Sequence, residues 1–165
     1  MAVDMFLKLD GIPGESTDAA HKGSIDIASF SWGESNTVSH IAAASGGAAG
    51  RVSMQDFHFT AKVSVATPKL MLSCANGSHI KTGVFSVRKA GVESKENVPF
   101  DFLVYKFQGV LITSVQEAGD TSDIPLDSVS FAFQKLDVMF KPISPTGAVG
   151  TSTEFAWDLA ANKKI

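Results

Sequence analysis

Alternation of apolar and polar residues with a period of two runs through most of this chain, and no other feature limits its fold as much. Over residues 55–65, Phe57, Phe59, Ala61, Val63 and Val65 fall on one side and Asp56, His58, Thr60 and Lys62 on the other, the pattern of a half-buried strand. The end of the chain reads the same way, with Phe155, Trp157 and Leu159 set against Glu154, Ala156 and Asp158. Twice the parity switches. Ile25 and Ile27 stand on one parity and Phe30 and Trp32 on the other; Val129, Phe131 and Phe133 give way to Leu136, Val138 and Phe140. In a continuous strand each switch requires an extra residue, so one β-bulge is expected between Ile27 and Phe30 and another near Gln134 and Lys135. Such bulges let a sheet curve toward closure. Further strands are expected at residues 5–9, 84–88 and 102–115, the last bent at Gly109. About eight or more strands in one domain describe an all-β fold, a barrel or two curved antiparallel sheets.

One short α-helix interrupts the strands. In ATPKLMLSCANG, Thr67 is the expected N-cap, Pro68 takes the first helical position and Gly77 is the stop after Asn76, giving a helix over about 68–76. Leu70, Met71 and Cys74 share one face, which is read as closing an end of the barrel. The 165 residues, 44% hydrophobic and 19% charged, are expected to form a single domain over 1–165 with its own core.

Composition excludes several kinds of partner. No apolar run approaches the roughly 18 residues of a spanning helix, so no membrane insertion is expected. MAVDMFLKLDG carries Asp4 where a secretory signal has basic residues, so no cleavable signal peptide is expected either. The net charge is -3 and no Lys/Arg run is longer than Lys163 and Lys164, which leaves no basic footprint for nucleic acid. The single cysteine, Cys74, forbids an intrachain disulfide and suits the cytoplasm.

The residues that could carry chemistry are dispersed. His21, His40, His58 and His79 have none of the short spacings that put two ligands on one metal. No GxSxG elbow surrounds a serine, Cys74 has no basic sequence neighbour, and SGGAAG is followed by a strand and not by Lys-Ser and a helix. Asp4, Asp10, Asp26 and Asp137 are scattered through turns and strands. The expectation is no catalytic residue, no metal, no cofactor and no enzyme; a β-barrel hydrolase with no recognisable motif is the alternative from a different class.

Two features point elsewhere. HIAAASGGAAGR has no charge between Ile41 and Gly50 and almost no apolar area to bury. It lies in an expected loop over about 36–51, longer than structureless connections usually are unless they serve a function. Its alanines and glycines let the backbone approach another surface closely. Ser31, in SFSWG, stands between Phe30 and Trp32, so burial of those two aims Ser31 away from the core.

The stretch DMFLKLDGIPGESTDAAHKGSIDIASFSWG closely resembles the opening of Hcp, the haemolysin-coregulated protein family of bacterial type VI secretion. TPKLMLSCANG, FSVRKAG, FLVYKFQGVLITSVQ and FAWDLAANKK extend the resemblance over essentially the whole chain. It implies a β-barrel protomer with one flanking helix that assembles six at a time into a ring, a homo-hexamer with an open channel. Further rings stack on it into a tube, under a spike protein and inside a contractile sheath, with effector proteins in the lumen. The chain would stay in the bacterial cytoplasm before firing and then be secreted.

The same resemblance places Ser31 on the lumen wall, against effectors. It assigns ring stacking to the loop of His40, Ile41, Ala42, Ala43, Ala44, Ser45, Gly46, Gly47, Ala48, Ala49, Gly50 and Arg51, with Arg51 as an ion-pair anchor at its base. Ring closure needs heterologous contacts, the front of one protomer on the back of the next. Strand faces bearing Ile25, Ile27, Leu103 or Tyr105 suit either those contacts or the internal core. A phage-like tail tube protein is the alternative of the same mechanical class, and an Hcp dedicated to one effector a third.

Overall fold

The computed structural model describes residues 3–37, 50–93 and 99–165. Residues 40–49 of the expected stacking loop lie outside them; Gly50 and Arg51 lie within.

Among the described residues, eleven strands and one helix follow in the order β1 (Val3–Leu9), β2 (Ile25–Ser31), β3 (Glu34–Asn36), β4 (Val52–Met54), β5 (Phe57–Lys62), α1 (Thr67–Asn76), β6 (His79–Glu93), β7 (Pro99–Ala118), β8 (Leu126–Ala132), β9 (Lys135–Phe140), β10 (Thr153–Asp158) and β11 (Lys163–Lys164). Every pairing is antiparallel. The long strand β7 bonds to β6 and also to β8, and this closes β6, β1, β2, β5, β8 and β7 into a barrel. Beyond the barrel, β9, β10 and β11 continue from β7 as a flap, while β3 and β4 form a separate hairpin, Asn36 opposite Val52.

The alternation of residues 55–65 places Phe57, Phe59 and Ala61 inside, at 2% exposure or less. Val65 departs from it and is 53% exposed, because β5 ends at Lys62 and the chain turns toward α1. Phe57 is the hub of the core, its ring 5.1 Å from Phe85 and Phe107 and 5.2 Å from Phe131. Ile25 and Ile27 are buried in this core, and Leu103 and Tyr105 pack against it.

The two parity switches have different origins. Between Ile27 and Ser29 the pairing of β2 with β5 shifts register, the bulge that the sequence requires there. At Gln134 there is no bulge: across the bend β8 and β9 meet β7 in one register, Leu111 opposite Ala132 and Gln108 opposite Lys135, and the shift in this pairing lies on the other strand, between Ile112 and Ser114 of β7. Both partners bend together, with Gly109 at φ +64 and the Gln134 side chain packed against it. The core side moves from Phe107 to Val110 on one strand as it moves from Leu136 to Phe133 on the other.

α1 lies beside β7, running from Thr67 near the β7–β8 turn to a C-terminus next to His79, which pairs with Leu111. Its cap is Ala66 and not Thr67. The Thr67 hydroxyl donates to the buried Asp127 carboxylate and accepts from the Ser64 N–H, so it ties the helix start to β8. Gly77, at φ +66, ends the helix in the left-handed conformation that glycine adopts freely. Leu70 is buried and Cys74 packs against the core, whereas Met71 is 39% exposed.

Candidate functional site

Directly opposite residues of an antiparallel pair project to the same face of the sheet. Across β2, β5, β8 and β7 the register therefore builds two complete rows on the outer face of the barrel. The first is Ser31, His58, Ser130 and Ser114; the second is Ser29, Thr60, Ser128 and Gln116. Their inward neighbours Phe59, Val129 and Phe131 are fully buried, which fixes the outward direction of both rows. The two rows hold hydroxyls, one imidazole and one amide, and no Asp, Glu, Lys or Arg.

This face is partly self-satisfied. The Ser29 and Thr60 hydroxyls bond at 2.6 Å, and His58 Nε2 shares a 2.7 Å hydrogen bond with Ser128 Oγ. Charges border the rows at both ends. Lys62 stands 3.5 Å from Asp123 at one end, and at the other the Thr113 hydroxyl donates to Asp56 at 2.7 Å. What remains is a surface of hydroxyl, imidazole and amide groups. A single hydrogen bond to such a group contributes only about 0.5–1.5 kcal/mol.

Ser31 sits where its parity aims it, exposed at the end of β2, with Phe30 and Trp32 packed against the core. His58 is half-buried at the centre of the face. Arg51 Nη2 donates to the Leu159 carbonyl at 3.0 Å, which ties the β3–β4 hairpin to the turn after β10. Of the other six members of the rows, Thr60 is on the polar side of the alternation over residues 55–65, and nothing in the sequence says which strands are neighbours.

A second polar cluster lies on the outer side of β1, β6 and β7, under the 10–24 connection. Arg88, 5% exposed, reaches Asp18 through Nη1 at 3.0 Å and Asp101 through Nε at 3.3 Å. His21 Nε2 is 3.0 Å from Asp101, and its ring stacks on Phe6 at 4.4 Å. Partial burial alone would raise the Asp18 carboxyl, but the N–H groups of Ala20 and His21 and the Arg88 guanidinium outweigh it and hold the group below 3.8. The cluster pins the connection to the barrel and offers no open position to a ligand. Among the described residues, no three His, Cys, Asp or Glu side chains converge as a metal site.

Fold and face together define a small closed β-barrel that presents a hydroxyl-rich sheet surface, with one helix beside it. Residues 6–140 match the family model described as type VI secretion system effector, Hcp. Over 98% of both chains, 34% of residues are identical to Protein hcp1 of Pseudomonas aeruginosa. Hcp1 of Salmonella typhimurium superposes with a TM-score of 0.80 at 30% identity over the whole of both chains. A solved type six secretion system protein superposes at 0.90 with 29% identity, covering 99% of this chain and 100% of the other. The chain belongs to the Hcp family, whose members are secreted tube proteins of type VI secretion and not enzymes.

Proposed function

We propose that six copies of this chain, each a single domain, close into a ring whose channel is lined by the β2–β5–β8–β7 face, and that rings stack into a tube carrying effector proteins. The observation that carries this reading is the pair of rows around Ser31 that hold no Asp, Glu, Lys or Arg. A carrier must hold varied cargo and let it go, and a wall of neutral hydroxyls gives contacts weak enough to release. Among the described residues, β2 pairs on its far side with β1 only through Asp26 and Ile25, so residues 27–31 offer a free edge at one side of the wall. At the other side α1 lies against β7. Front and back of the wall therefore differ, as a heterologous ring contact requires. Exposed Phe140 and Phe155 on the flap, and Leu72 and Val65 around α1, give each protomer two separate apolar surfaces to bury between neighbours.

In this reading Ser31 meets the cargo, and the loop from His40 to Arg51 docks on the next ring. A spike protein tops the tube and a contractile sheath surrounds it. The chain waits in the bacterial cytoplasm and leaves without a cleavable signal peptide. Native mass measurement tests the ring: six copies of 17.4 kDa give a species of about 104 kDa. A strictly monomeric protein at micromolar concentration overturns it. Ser31→Gln tests the wall, since added bulk on an open face should leave the ring mass unchanged while effector proteins co-expressed with it are lost from the purified ring. Failure of this variant to fold, or undiminished effector retention, removes Ser31 from the cargo surface.

A further inference from the structure

The β7–β8 strand pair carries opposite charge at its two ends. At one end, the connection at 119–125 bears the exposed Asp120 and Asp123, with exposed Glu117 just before it. The hydroxyl and N–H of Ser122 bond to Asp120, and the N–H of Ile124 together with Lys62 acts on Asp123. Both carboxyls are held below 3.8, so the turn stays anionic at neutral pH. Ile124, beside them, is 54% exposed. At the other end, ~30 Å away at about 3.3 Å per residue, the Gly109 bend opens a groove lined by His79, Lys81, Gln108, Gly109, Gln134 and Lys135. Lys135 is 3.6 Å from Asp158, while Lys81 makes no ion pair among the described residues and stands exposed with His79.

An acidic turn and a basic groove at opposite ends of one rigid strand pair cannot meet within a chain. They meet when copies are laid head to tail along the wall. We propose that the groove at the Gly109 bend receives the acidic turn of a second copy in the adjoining ring, so that stacking is held in part by a circle of complementary charge contacts. This rests on the stacked-ring reading above and adds to it a contact made by the barrel itself, apart from the loop.

Charge exchange tests it on the full chain. Asp120→Lys with Asp123→Lys should leave the ring mass unchanged and weaken stacking roughly tenfold or more, because exposed charge pairs are individually weak but act together around the ring. His79→Glu with Lys81→Glu should do the same. All four substitutions in one chain restore opposite signs and should return tubes of parental length in electron micrographs. A variant that loses its ring is set aside in favour of the parent, whose tubes should shorten as salt rises from ~0.05 to ~0.5 M and screening tightens several-fold. Parental tube length in either double variant, no recovery in the fourfold variant, or salt-independent parental tubes overturns the contact while the ring stands. A parent that forms rings but no tubes at low salt overturns the contact and stacking together, and a monomeric parent overturns the ring.

Discussion

Arg88 leaves water only because two carboxylates reach it, and removing either should leave a buried charge short of a partner. Asp18 gives the cleaner test because its titration has a sign. Its carboxyl is held below its ordinary value in the folded chain, so its contribution to stability is complete above about pH 4 and fades as the pH falls through the folded value. Asp18→Asn should therefore unfold at lower denaturant than the parent at pH 7, with the gap closing below about pH 4. A constant gap from pH 7 to pH 3 would mean that the charge contributes nothing. At this scale the sequence was legible wherever direction alone decided the matter: the parity of Phe30 and Trp32 aimed Ser31 outward. It was silent wherever a partner lay far along the chain. His21 has no partner legible in the sequence because Asp101 is 80 residues away, and Thr67 reads as a cap because its partner Asp127 stands on a strand 60 residues later.

Elements were legible in proportion to how strongly one face was buried. The half-buried strands and the Gly77 stop emerged from local pattern alone, and so did the bend at Gly109. That the bend belongs to two strands at once is not legible in the sequence, because an outward-to-inward exchange at Gln134 looks the same whether one strand bulges or a pair folds over. Gly109 makes the shared bend possible. At φ +64, a Cβ would stand 2.6 Å from Gln134 Oε1. Gly109→Ala should cost about 1–3 kcal/mol, from the left-handed backbone and the displaced glutamine together. Adding Gln134→Ala should recover only the part due to crowding. Equal stability of Gly109→Ala and parent in urea denaturation would show that the pair bends without needing glycine there.

The same bend determines the shape of the whole molecule. Past it β7 exchanges β8 for β9, the barrel gives way to the flap, and the β3–β4 hairpin is tied by Arg51 to the turn after β10. That hairpin is anchored twice, by the pairing of Asn36 with Val52 and by Arg51 on the Leu159 carbonyl, so residues beyond its stem can be shortened without disturbing the barrel. Deleting residues 43–49 removes little apolar burial and should leave folding and the six-membered ring intact. Stacking should fail, and the protein should accumulate in the cytoplasm without being secreted. Ala44→Asp is the gentler form of the same change. If the loop docks on the next ring as proposed, the substitution puts one charge into a contact that excludes water, at a cost of about 1–3 kcal/mol for each loop, and the cost recurs at every protomer of a ring junction. A penalty of that size is absorbed once in many interfaces, but six of them act on a single docking event. Electron microscopy of both variants beside the parent, under conditions where the parent forms tubes, measures the outcome directly. Tubes of parental length from both would remove the loop from stacking and leave the charged barrel ends to carry it alone.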